Sequence, residues 1–92
     1  MSDAKTQEVL LECRGRIDAL DEKIILLLNE RAEVALEIGQ AKANAGLPVV
    51  ELGRERVVID RMVGKSTGPL DPDAVERIYT VIMMEMRRLQ ER

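Results

Sequence analysis

At 92 residues and a net charge of −3, the chain is long enough for one small domain and carries the wrong sign to favour a polyanion. Its one aromatic residue, Tyr79, leaves almost nothing for bases to stack on, which argues against nucleic acid as the main partner. The absence of histidine removes His-based acid–base work and most transition-metal sites, and a lone Cys13 excludes an intrachain disulfide.

The first predicted helix runs from about Asp3 to Ala45 and stops at Gly46, with Pro48 beyond. Read in steps of seven, it carries an apolar row, Leu10, Ile17, Ile24, Arg31 and Ile38, and a second, Cys13, Leu20, Leu27, Val34 and Ala41. Cys13 is therefore expected as a packed thiol. A flanking row holds Arg14, Asp21, Leu28, Ala35 and Lys42, and the opposite row, Arg16, Lys23, Glu30 and Glu37, is wholly charged. The second helix is predicted from about Val49 to Lys65, weakened locally by Gly53, and Ser66-Thr67-Gly68-Pro69 reads as a loop. The third opens with Asp71 as cap, Pro72 in its first turn and Asp73 at its positive end. It continues to about Gln90, with Val75, Ile78, Ile82 and Leu89 on one stripe.

These elements predict an all-α chain of three helices forming one domain over residues 1–92, with no strand. A helix of about 40 residues is about 60 Å long, whereas a compact globule of this length is roughly 30 Å across. The first helix therefore cannot be covered by its own monomer. An intertwined helical homodimer is expected, since the other two helices carry apolar stripes of their own. No apolar run approaches a membrane span and no signal-peptide pattern opens the chain, so a cytoplasmic protein is expected.

Arg31 interrupts an apolar row, and Arg14 and Lys42 edge the same buried face. Burying cations without partners is costly, so several aimed into one seam suggest a bound anion. Arg31 and Lys42, eleven residues apart, lie within about 20° on the helix surface and about 16 Å along it. Arg14 lies about 25 Å from Arg31 and about 100° around the helix, so it reaches the same small ligand only from an antiparallel partner chain. Taken singly, each cation also fits an ordinary seam edge or a snorkelling side chain. Helix two adds Glu51, Arg54 and Glu55 near one face, while Arg56, Asp60 and Arg61 read as a solvated face. Helix three adds Met83, Met86 and Gln90 at i, i+3 and i+7, where core packing is the better reading of the methionines.

The stretches Arg14-Gly-Arg-Ile-Asp-Ala-Leu-Asp21, Leu28-Asn-Glu-Arg31, Ile38-Gly-Gln-Ala-Lys42, Pro48-Val and Arg54-Glu55-Arg56 resemble the all-helical (AroQ-type) chorismate mutases, over about Leu10 to Gln90. The resemblance implies an intertwined homodimer with two sites, each completed by an arginine of the partner chain. It implies that Arg14 from the partner and Arg31 bind the carboxylates of chorismate. Lys42 would bind a carboxylate and the ether oxygen, and Gln90 would donate to that oxygen from the other side. Glu55 would accept from the ring hydroxyl, helped by backbone near Glu51, with Arg54 ordering it. Met86 stands where many relatives carry a small, often hydroxyl-bearing residue.

The implied reaction is the [3,3] rearrangement of chorismate to prephenate, in the shikimate pathway toward Phe and Tyr, which needs no cofactor, metal or nucleophile. Related activities on the same fold are isochorismate pyruvate-lyase and 4-amino-4-deoxychorismate mutase. Glu55, an acceptor suited to a hydroxyl, favours chorismate. A non-catalytic helical dimerisation module is the reading from another class. The chain end just past Gln90 fits a free-standing enzyme or a domain of a larger fusion.

Overall fold

The computed structural model describes residues 3–91 and contains three helices, α1 (Ala4–Ala45), α2 (Leu52–Lys65) and α3 (Pro72–Gln90), with no strand among the described residues. The expected all-α class and helix order are present. No helix is long and apolar enough to cross a membrane. The chain forms two units that meet between Arg31 and Ala32, with α1 running through both.

In the first unit, α1 is capped by Asp3, whose Oδ1 accepts the Thr6 N–H at 2.7 Å and so satisfies one of the donors that a helix start leaves open. Ile17, Leu20, Ile24 and Leu27 are each more than half exposed. Cys13 is exposed with them, not packed: nothing within its own unit covers the row it belongs to. The part-buried positions are Leu28 and, at the end of the unit, Arg31.

In the second unit, the buried side of α1 is not the two apolar rows of Val34 and Ile38, both exposed, but Ala35 and Gly39, one turn apart. The helix ends in a Schellman arrangement. Gly46 takes φ +69, a left-handed conformation that favours glycine; its N–H donates to Ala43 O, and the Leu47 N–H donates to Lys42 O at 2.8 Å. The chain then turns back past Pro48. Helix α2 starts at Leu52, three residues later than the periodicity predicts. The Lys42 ammonium of α1 holds the Val49 carbonyl at 2.9 Å, which keeps this segment out of the helix.

Helix α3 starts as the sequence predicts, with Asp71 Oδ1 accepting from the Ala74 N–H at 2.8 Å and Pro72 in the first turn. It packs against α2. The buried side chains are Ala35, Ile59, Val75, Met83 and Met86. The α3 stripe predicted from Val75, Ile78, Ile82 and Leu89 is thus shifted toward the methionines, and Ile78 is exposed. Flexible thioethers fill the irregular space between helices, which suits methionine as the core residue here. On the outer face, Arg56 pairs with Asp60 at 2.7 Å and also with Glu76 of α3 at 2.6 Å, so this charged face links two helices as well as meeting water.

Candidate active site

The candidate site is built by the second unit from three pieces: the last turns of α1, the segment leading into α2 with its first turn, and the last turns of α3. Lys42 is its centre. The side chain is only 11% exposed, and its Nζ donates to Val49 O at 2.9 Å and pairs with Glu51 Oε2 at 2.9 Å. An ammonium has three N–H donors, so one remains for a ligand. The Schellman turn makes this possible, because reversing the chain at Gly46 brings Val49 and Glu51 back to a side chain that precedes the turn.

Glu51 precedes α2 and makes no side-chain cap to it. Its carbonyl accepts the Glu55 N–H at 3.0 Å, while its carboxylate serves Lys42. The resemblance implies a part for the Glu51 backbone alone; its side chain has a second task, that of fixing the lysine. Arg54 is exposed on the first turn of α2.

Glu55 is engaged by a residue that the sequence reading missed. Arg87 Nη2 of α3 donates to Glu55 Oε1 at 2.6 Å and Oε2 at 2.9 Å. The carboxylate pushes the Arg87 pKa above its ordinary value, chiefly through this hydrogen bond. Arg87 carries the signature that marks Arg31, a cation inside a helical row, here Met83, Arg87 and Gln90 at i, i+4 and i+7. The expectation that Arg54 orders Glu55 thus meets a stronger candidate on another helix.

Gln90 approaches α1 at Gly39. A Cβ added to Gly39 would lie 2.9 Å from Gln90 Cγ and 3.2 Å from its Cβ, so this contact requires glycine. Gly39 and Lys42 are three residues apart on α1 and neighbours on its surface. Gln90 therefore packs against α1 one turn before Lys42. Its Oε1 is buried without a hydrogen-bond partner. A half-turn of the amide places the Nε2 donor at the same point. Met86, 7% exposed, packs in the core one turn before Gln90.

The structure thus brings together Lys42, Glu51, Glu55, Met86 and Gln90 of the predicted set, adds Arg87 and Gly39, and leaves Arg54 exposed nearby in sequence. Arg14, exposed, and Arg31, part-buried, belong to the first unit. Among the described residues no group of His, Cys, Asp or Glu is placed to hold a metal ion.

Residues 13–91 match the family model for chorismate mutase type II. The chain is 39% identical over 80 residues to the bifunctional chorismate mutase/prephenate dehydratase of Escherichia coli (strain K12), covering 85% of this chain and 20% of that protein. It is 35% identical over 89 residues to the Aquifex aeolicus protein of the same name, covering 92% of this chain and 25% of that one. The chain therefore spans a fifth to a quarter of these relatives. Among solved structures, chorismate mutase (form II) from Thermus thermophilus superposes with a TM-score of 0.89 at 25% identity, over 90% of this chain and 94% of the other. Chorismate mutase from Helicobacter pylori in complex with prephenate gives a TM-score of 0.84 at 30% identity, over 91% of each chain. The chain belongs to the chorismate mutase type II family.

Proposed function

We propose that this chain is a chorismate mutase, an isomerase that converts chorismate to prephenate for Phe and Tyr synthesis in the cytoplasm, acting as one domain over residues 1–92. The observation that carries the reading is a nearly buried Lys42 ammonium with one N–H remaining, one turn from Gly39, against which Gln90 packs with its amide oxygen buried and without a partner. The family match and the likeness to a structure holding prephenate support the same chemistry.

In the rearrangement the ether C–O bond breaks ahead of C–C bond formation, and no atom is gained or lost. Negative charge grows on the ether oxygen. Lys42 and the Gln90 amide meet that charge as it develops, which stabilises the transition state more than the ground state. Glu55 accepts from the ring hydroxyl, assisted by the backbone at Glu51, and Arg54 adds positive charge at the edge. Met86 forms the apolar wall beside Gln90. No cofactor enters this scheme.

The two carboxylates of chorismate need more cations than Lys42 alone. Arg31 and Arg14 take that part, with Arg14 contributed by the partner chain of a homodimer. The exposed rows of α1, Ile17, Leu20, Ile24, Leu27, Val34 and Ile38, supply the dimer face. Bidentate guanidinium–carboxylate contacts would hold the substrate in its near-attack shape.

An ultraviolet assay following loss of chorismate, with the product identified as phenylpyruvate after acid treatment, tests the reading. Formation of phenylpyruvate is expected. Release of salicylate and pyruvate from isochorismate, with chorismate untouched, would instead identify a lyase.

A further inference from the structure

The Arg87–Glu55 contact joins residues 32 apart in sequence and two different helices. Both oxygens of the carboxylate accept from one guanidinium nitrogen. The side chains are 32% and 22% exposed, so the pair is partly withdrawn from water and its charges are less screened than those of a surface pair. The Nε of Arg87 is buried without a partner. A guanidinium serving only to fasten α3 to α2 would be expected to satisfy its buried donors, because an unmet one is costly. The surface pair Arg56–Glu76 already links the two helices.

The consequence is electrostatic. Glu55 alone would present a net negative charge to whatever occupies the ring end of the site, and such a charge attracts a cation at least as well as a hydroxyl. With Arg87 clamped to it, the pair is neutral overall. The carboxylate keeps lone pairs that a hydroxyl can donate to, since two oxygens offer about four acceptor positions. A ring ammonium, by contrast, would sit close behind a fixed guanidinium.

We infer that Arg87 determines substrate specificity through Glu55, making the site select a ring that bears a neutral hydroxyl over one that bears an ammonium. This rests on the reading of the site as a chorismate mutase and deepens it. Arg87 is a positioning residue: it acts on the substrate only through the carboxylate it holds. An amine of ordinary basicity is protonated at pH 7, so 4-amino-4-deoxychorismate is the matched probe, differing from chorismate in that one group.

The test is competition. The inhibition constant of 4-amino-4-deoxychorismate is measured at pH 7 against chorismate turnover and divided by the KM for chorismate. In Arg87→Met this ratio should fall by about tenfold, the scale of one partly screened like-charge contact. Arg87→Lys keeps the cation and should keep the wild-type ratio even where overall activity drops. Arg87→Gln, neutral and closer in polarity to the native side chain, should lower the ratio in the same way; it decides the matter if Arg87→Met fails to fold by circular dichroism. A ratio unchanged in Arg87→Met, or in Arg87→Gln where that variant decides, reduces Arg87 to a fastener and overturns the inference. Wild-type protein that turns over chorismate while the ratio stays fixed overturns this inference alone. Wild-type protein that leaves chorismate untouched overturns the functional reading together with it.

Discussion

Lys42 gathers more of the site's electrostatics than any other residue, because three of its neighbours exist to hold it: the Val49 carbonyl, the Glu51 carboxylate and the glycine turn that returns both. On the proposed reading Lys42→Ala removes a donor to the developing charge, and it leaves Glu51 without its cation. Loss of one such donor typically lowers kcat by ~10²–10³. Lys42→Ala is expected to lower kcat by at least that order, with KM changing less, in steady-state assays. An effect confined to KM would make Lys42 a carboxylate anchor instead. Lys42→Arg should not restore full activity, because a planar fork does not fit two acceptors placed for a compact ammonium. At this scale the sequence marks a charge that breaks or edges an apolar face of one helix, as with Arg31 and Lys42, and the structure finds Lys42 held by Val49 and Glu51. Arg87 breaks a row in the same way, but its meaning depends on Glu55, 32 residues away, and no spacing rule relates those two positions.

Helix boundaries were readable where the determinant is local. Asp71 and Pro72 start α3, Gly46 ends α1, and Asp3 caps its beginning. The start of α2 was not, because a tertiary contact from Lys42 holds the Val49 carbonyl, and β-branched Val49 and Val50 have little helix propensity to oppose it. The N-terminal cap gives a prediction with a definite sign. Accepting from the Thr6 N–H lowers the Asp3 pKa below its ordinary 3.8. The charged cap therefore favours the folded helix fully above the ordinary value and loses that contribution as pH falls through the lowered one. An NMR titration of the Asp3 carboxyl should place its midpoint below 3.8; a midpoint at or above it would show that the cap does not form. Gly39 shows the other limit of sequence reading. Inside a helix a glycine looks like a cost of about 1 kcal/mol relative to alanine, and only the close approach of Gln90 explains it. Gly39→Ala should improve helix propensity yet displace Gln90, at an overpacking cost of about 1–3 kcal/mol. Activity should fall by more than tenfold while far-ultraviolet dichroism stays near that of the wild type. Unchanged kcat would mean that Gln90 is not placed by this contact.

For the molecule as a whole, the long first helix was the most legible feature, since its length alone exceeds what 92 residues can cover. Which of its faces the chain covers was not legible. The apolar heptad rows hold Leu27, Val34 and Ile38, but the small Ala35 and Gly39 are the buried residues, and Gly39 lets α3 come close. The larger apolar side chains remain exposed and suit a second copy. If that copy also brings Arg14 to the site, the two chains must share it. Arg14→Ala and Arg31→Ala homodimers should each be inactive, since every site in them lacks one cation. When the two variants are unfolded together and refolded, heterodimers form in which one site carries both lesions and the other carries neither. Mixed samples should regain activity, up to one competent site per heterodimer, or about a quarter of wild-type activity when half of all dimers are mixed. Mass spectrometry of differently tagged chains would establish that heterodimers are present. Their presence without recovered activity would place Arg14 and Arg31 in the same chain's site, or Arg14 in no site at all.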